Sequence, residues 1–386
     1  MKKFLALILA LVMALSLVAC GEKAPAADDG AAAGDEVVTV TDKIAMVTDY
    51  GDITDQSFNQ TTYEACKAFA EANGYEFSYY KPAGDSDAER AAMIEKAIDE
   101  GFTVIVLPGF AFANAIGMTA PTYTDVKFIA LDVSEFDLTS AGLTAETMTN
   151  VYSAVYQEEL SGYMAGYAAA KLGYTKLGYL GGMAVPAVQK FGYGFVQGVD
   201  AAAKELGVTV EMNYVYGGQF FGDADITAVM DTWYQAGTEI VFACGGGIYT
   251  SAAEAAAKVG GKVIGVDVDQ AAIIDGAYGE GMTVTSAMKG LYPTTVDTLT
   301  DVVINGNWAN YAGKVATLGL VTGDDPTANY VQIPMESTQW SDSFTQDDYK
   351  ALVKGMFDGT IVVSGDISAM PAVTNVVISD QGQIKG

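Results

Sequence analysis

A chain of 386 residues, half of them apolar, is longer than one hydrophobic core usually serves, so it reads as a globular protein of two domains. Its 48 acidic and 20 basic side chains give a formal net charge of -28, which argues against nucleic acid and anionic membrane surfaces as direct partners, because both need clustered Lys and Arg. Histidine is absent, which removes the commonest metal ligand and general base, and with them Ser-His-Asp and Cys-His catalysis; enzyme readings start at a disadvantage, and no catalytic residue, cofactor or metal is expected.

Residues 1–19 have the pattern of an export signal. Lys2 and Lys3 precede an apolar run from Phe4 to Val18 that is too short and wrongly flanked for a spanning helix. The run closes on Leu17-Val18-Ala19-Cys20-Gly21, which resembles the lipobox of bacterial lipoproteins, where cleavage leaves a lipidated cysteine as the new N-terminus. The resemblance implies an extracytoplasmic protein anchored to the bacterial cell membrane through Cys20, each buried CH₂ of the acyl chains contributing about 0.8 kcal/mol. Residues 20–42, rich in Ala, Gly, Asp and Glu without apolar periodicity, read as a flexible, self-repelling tether. Cys66 and Cys244 lie far apart in the chain and read as buried small hydrophobes, since two cysteines without histidine cannot build the usual zinc site.

From Lys43 onward, short β-rich runs alternate with helical ones, the pattern of βα units and a parallel sheet. Strands are expected at 44–47, 76–80, 104–107, 127–131 and near 150–154, with helices near 60–73, 87–100, 113–120 and 157–172. A second series follows, with strands at 176–180, 208–215, 240–243 and 263–266 and helices near 187–206, 224–236 and 250–259. Two such series in tandem predict two Rossmann-like lobes, 43–153 and 154–285, with a cleft and hinge between them. After 282–288 come a long helix at 292–304, a less regular tail, a final helix at 345–357 and a β-rich segment at 360–363. Part of 286–386 is expected to return to the first lobe and part of 318–386 to stay with the second.

The loop after the first strand, Asp49-Tyr-Gly-Asp-Ile-Thr-Asp-Gln-Ser-Phe-Asn59, is the leading candidate site. In an open parallel sheet, ligands sit outside the carboxyl ends of the strands, where helix N-termini present free N–H groups. Carboxylates (Asp49, Asp52, Asp55), a hydroxyl (Ser57), an aromatic face (Phe58) and an amide (Asn59) suit a polar ligand with a flat apolar face. The competing reading is that Asp55 or Ser57 caps the helix and Phe58 is core. The loop is no EF-hand: glycine is not its sixth residue, and the twelfth from Asp49 is Gln60. Gly245, Gly246 and Gly247 lie between a strand and a helix, but the dinucleotide-binding spacing is missing; they make either a tight turn through which backbone approaches a ligand or turn geometry alone. Asp267 and Asp269 end a buried strand, where carboxylates rarely serve packing. Lys289 is one of few cations, either neutralising such a site or lying at the surface.

These pieces together resemble the BMP family of bacterial lipoproteins, also called PnrA-like, which are substrate-binding proteins of ABC transporters for nucleosides. The carriers are Asp49 with Asp55-Gln-Ser-Phe-Asn59, Phe128-Ile-Ala-Leu-Asp132, Glu159-Leu-Ser-Gly-Tyr-Met-Ala-Gly166, Leu177-Gly-Tyr-Leu-Gly-Gly182, Phe221-Gly-Asp223, Gly265-Val-Asp-Val-Asp-Gln270, and Ser286 with Lys289. The resemblance implies a periplasmic-binding-protein type I fold that closes on a nucleoside, with a purine favoured, and hands it to an ABC permease. It further implies that Phe58 and Phe221 sandwich the base, that Asp49, Asn59 and Asp132 read its polar edge or the sugar, and that Asp267 and Lys289 hold the ribose. The chain departs from the family at Ile53-Thr-Asp-Gln56, and residues 217–221 offer two aromatics where one is needed. A sensor, or a binding lipoprotein for another small polar ligand such as a sugar, is the alternative.

Overall fold

The computed structural model describes residues 42–385; the expected signal, Cys20 and the tether up to residue 41 lie outside the described residues. A first run comprises β1 (Ile44–Val47), α1 (Phe58–Asn73), β2 (Phe77–Tyr80), α2 (Asp87–Asp99), β3 (Val104–Pro108), α3 (Ala113–Thr119), β4 (Lys127–Leu131), α4 (Glu135–Ser140) and β5 (Val151–Tyr156). The second comprises α5 (Glu158–Lys171), β6 (Lys176–Gly181), α6 (Pro186–Leu206), β7 (Val210–Tyr216), α7 (Ala224–Gln235), β8 (Ile240–Cys244), α8 (Tyr249–Ala257), β9 (Lys262–Asp267), α9 (Ala271–Tyr278) and β10 (Thr283–Lys289). The remainder holds α10 (Leu291–Leu299), β11 (Lys314–Leu318), β12 (Val331–Gln332), α11 (Gln346–Phe357) and β13 (Val376–Gln383).

These strands form two sheets, in the orders β11-β5-β4-β3-β1-β2 and β12-β10-β9-β8-β6-β7-β13. All pairs are parallel except the short β12–β10 pair. Alternate side chains enter opposite layers: Ala45 and Val47 of β1 join one core, Ile44 and Met46 another. In β8, Ile240 and Phe242 face one layer, Val241 and Ala243 the other. Burial on both faces explains why the strands read as near-continuous apolar runs. Cys66 and Cys244 are unpaired and buried, in different lobes.

Three crossings join the lobes. The chain leaves the first sheet at Tyr156 and enters the second lobe with α5. It returns after Lys289, where α10 packs on α1 and β11 extends the first sheet beside β5. It crosses back between β11 and β12. Sheet membership therefore changes a few residues beyond 153 and 285, because β5 runs on to Tyr156 and β10 to Lys289.

The segment 360–363 is not a strand. Its Ile361 and Val363 pack on the second lobe's core without joining a ladder, and Val362 points into solvent. The last strand is instead β13, in which only Val376–Ile378 is apolar and the second half is polar and exposed, so its apolar run is too short to mark the eight-residue strand. The short α4 rests on a capping box between Ser134 and Asp137 rather than on periodicity.

One packing detail fixes the base of the cleft. Helices α5 and α6 approach so closely that a Cβ at Gly162 would lie 2.2 Å from the Phe191 carbonyl oxygen, and one at Gly194 2.1 Å from that of Glu159. Glycine alone permits this separation, which seats Glu158, at the start of α5, beside Lys190 on α6.

Candidate ligand-binding cleft

Between the lobes, at the carboxyl ends of β1, β4, β8, β9 and β10, lies a cavity of about 510 Å³, a size suited to a small molecule. Of the residues singled out from the sequence, Asp49, Phe58, Asn59, Asp132, Phe221, Gly246, Asp267 and Lys289 line it. Ser57 and Asp269 do not. The Asp269 carboxylate accepts from the Ala271 N–H at the start of α9 and has a structural role there.

The β1–α1 loop divides its labour between capping and bridging. Asp55 caps α1, accepting from the backbone N–H groups of Ser57, Asn59 and Gln60 at 2.9, 2.9 and 3.1 Å. Ser57 occupies the N-cap position without making a capping bond. Its hydroxyl instead donates across the cleft to Asp267 Oδ2 at 2.6 Å. Asp49 accepts from the N–H groups of Tyr50 and Gly51, each at 2.6 Å. Burial raises the Asp49 pKa above its ordinary value, and those two backbone bonds oppose the rise. Asn59 donates to Asp55, whereas its buried Oδ1 has no partner among the described residues.

At the floor of the cavity Lys289 Nζ is bonded to Asp132 and lies 3.6 Å from Asp267 and 3.7 Å from Glu158. The ammonium also sits 4.6 Å from the Phe58 ring centroid, so Phe58 presents one face to a cation. Burial by itself would lower the Lys289 pKa, but Asp132, Asp267 and Glu158 outweigh it and the net shift is upward. Burial pushes the Glu158 carboxyl up to about 7, against the attraction of Lys289 and Lys190. The Asp132 pKa is also raised by burial, and its Oδ1 is buried without a partner.

Asp132 and Asp267 hold corresponding positions in the two lobes. Each stands at the end of a central strand with positive φ, 61° and 64°. Aspartate tolerates the left-handed region better than most residues, and strained backbone of this kind clusters at functional sites. The reversal turns both carboxylates onto the same lysine.

The two aromatics of residues 217–221 both line the cavity. Phe220 is wedged against Gly182 and Gly245, where a Cβ on either glycine would lie 2.5 or 3.1 Å from its ring. Phe221 is 55% exposed and bridges Gly247 through its backbone. At Gly246, with φ of 51°, a Cβ would lie 2.9 Å from the Phe220 carbonyl oxygen. The glycine triplet is thus the turn on which the aromatic loop rests. Sequence reasoning did not single out Glu158, Lys190, Phe110 or Phe191, all of which line the cavity. For Glu158 there was a signal, a carboxylate in the first turn after a strand; for the others there was none.

The family described as ABC transporter substrate-binding protein PnrA-like, or Bmp, matches residues 42–352. The chain belongs to this family. The description of that family is of transporter substrate-binding proteins. The chain is 28% identical over 241 residues to the ABC transporter nucleoside-binding protein BmpA of Lactococcus lactis, a match covering 59% of this chain and 64% of that one. The chain thus spans just under two thirds of that relative. It is 25% identical over 289 residues to an uncharacterized lipoprotein of Pyrococcus abyssi, covering 72% of this chain and 67% of that one. Among solved structures, a solute-binding protein from Aeropyrum pernix superposes with a TM-score of 0.64 at 21% identity, covering 83% and 87% of the two chains. The lac repressor dimer bound to operator superposes at 0.51 and 12% identity, covering 78% and 95%. The fold is that of type I periplasmic binding proteins and LacI-type domains. Among the described residues of this Bmp protein, no group of side chains is arranged to hold a metal ion, and no helix is long and apolar enough to cross a membrane.

Proposed function

We propose that this Bmp protein captures a nucleoside in the cleft, with a purine favoured, and delivers it to an ABC permease from an extracytoplasmic position, anchored through Cys20. One observation carries the reading: a single cavity combines aromatic faces, Phe58 and Phe221, with buried acceptors lacking partners, Asp132 Oδ1 and Asn59 Oδ1. A base stacks on the former at about 1–3 kcal/mol, and ribose hydroxyls or base N–H groups donate to the latter. The carboxylates around Lys289 disfavour phosphorylated ligands, so the nucleoside is preferred over the nucleotide. Side chains already join the lobes, Ser57 to Asp267 and Gln270 to the Gln56 carbonyl at 3.1 Å, which supports a cleft that closes around its cargo. The name of the Lactococcus relative supports the same ligand class.

The test is thermal stabilisation of protein from residue 42 onward, after removal of co-purified ligand by unfolding and refolding. Adenosine, guanosine, inosine, uridine, free bases, nucleotides and sugars are compared. A ligand present at about 100 times its dissociation constant adds roughly 2.7 kcal/mol. Stabilisation by nucleosides and not nucleotides is expected; stabilisation by sugars alone would replace the ligand and keep the fold.

A further inference from the structure

The loop 217–223 carries Phe220 and Phe221 into the cleft and contains Gly217, Gly218 and Gly222; its backbone is bonded to Gly181, Gly182 and Gly247 at Gly217, Gly218 and Phe220, while Phe221 itself is 55% exposed. A flexible loop must be ordered when it grips a ligand, at a cost to affinity, unless something outside the loop orders it beforehand. The loop's far side shows what does so.

Strand β13 runs parallel to β7, the strand that feeds the loop, from Val376 beside Val210 to Gln383 beside Tyr216. It lies beyond residue 352, where the family match ends. The Ile384 N–H donates to the Tyr216 carbonyl at 2.8 Å, carrying the pairing to the last residue before the loop. Trp233 of α7 donates to Gln381 at 3.1 Å. A Cβ at Gly218, with φ of 85°, would lie 2.6 Å from the Lys385 carbonyl oxygen, so tail and loop are in contact. Lys385 Nζ then bonds Asp223 and lies 3.6 Å from Asp225. Asp223 is the loop's far anchor: it caps α7 through the N–H groups of Asp225 and Ile226, and it accepts from Gln219, whose amide also donates to the Phe221 carbonyl at 2.9 Å. Lys385 thus connects through Asp223 and Gln219 to the backbone of Phe221.

We propose that β13 and Lys385 form a clamp that orders the aromatic loop before ligand arrives, with Lys385 as a positioning residue for Phe221. The role of Phe221 in gripping ligand rests on the nucleoside reading above; the clamp itself does not, and the two are tested separately. In the first arm, hydrogen exchange of the ligand-free protein is compared among wild type, Lys385→Ala and Lys385→Arg. Lys385→Ala is expected to speed exchange in residues 217–224 at least about threefold while leaving β1–β5 unchanged; Lys385→Arg restores protection. Lys354→Ala, which removes an exposed ion pair to Asp358 on α11, is the control and leaves the loop unchanged. Equal exchange of the loop in wild type and Lys385→Ala would overturn the clamp. In the second arm, calorimetry with inosine is expected to give an affinity about three- to tenfold lower for Lys385→Ala, the scale of ordering a few side chains. Loop exchange that rises with inosine affinity unchanged would refute the positioning role. Wild-type protein that ignores inosine and the other nucleosides would count against the nucleoside reading, and the exchange arm would still decide the clamp.

Discussion

Replacing Lys289 by Met tests the floor of the cleft most directly. The lysine side chain is 3% exposed and faces three carboxylates, of Asp132, Asp267 and Glu158. Removing one partner of a buried ion pair costs about 3–5 kcal/mol, because the remaining charge is left desolvated. Here three carboxylates lose their shared cation, and only Glu158 keeps another, Lys190 at 3.6 Å. For domains of about 150–250 residues each kcal/mol lowers Tm by roughly 2–4 °C, so a drop of about 6–20 °C is expected at pH 7.5. The loss must also depend on pH. Without the ammonium, burial holds the Asp132 and Glu158 carboxyls above their unfolded pKa values with less opposition, so the native state holds extra protons and its stability falls as pH rises. Wild type also gains the Glu158 proton over this range, so lowering the pH from about 7.5 to 5.5 should narrow the gap by up to about 2.7 kcal/mol for each proton the variant takes up beyond wild type. Thermal melts at both pH values, with Lys81→Met as a control for an exposed pair to Asp52, check this. The control should cost no more than about 1 kcal/mol. A Lys289→Met protein melting within 2 °C of wild type at pH 7.5, or a gap that widens on acidification, would refute the reasoning.

Further expectations follow from the same geometry. Phe58→Ala should weaken nucleoside binding by about 1–3 kcal/mol with the fold intact, read by calorimetry and circular dichroism; unchanged affinity removes Phe58 from the site. In wild type the Glu158 carboxyl is held up to about 7, so the native state keeps that proton above the unfolded pKa and stability falls as pH rises through the interval up to about 7. Glu158→Gln should therefore gain stability relative to wild type between about pH 5 and 8 in urea titrations, whereas parallel profiles would reject the assignment. Gly194→Ala places a methyl group against the Glu159 carbonyl and should destabilise by about 1–3 kcal/mol, and Glu158 should lose its register with Lys190. A neutral effect on urea midpoints would mean that α5 and α6 are looser than their geometry.

The alternation of apolar strands and helices determined the parallel two-sheet fold, because burial on both faces and helical periodicity are written locally in runs such as Ile44–Val47 and Ile240–Cys244. The β1–α1 loop was legible for the same reason: its place after a strand and before a helix is a local property. Strands β11 and β13 were not legible, since β11 is only five half-buried or exposed residues at a sheet edge and the apolar part of β13 is confined to Val376–Ile378 ahead of a polar, exposed stretch. Within the loop, sequence left open whether Asp55 or Ser57 caps the helix. Only the neighbour across the cleft decides, because Ser57 is drawn to Asp267, 210 residues away, and Asp55 is left to satisfy the helix N–H groups. Likewise the charge cluster joins Asp132 to Lys289 across 157 residues, through chain crossings that no local pattern encodes. The sequence by itself determined which residues stand at strand ends; tertiary structure alone decided which of them meet, because a charge is stable in the interior only beside the partners that folding brings to it.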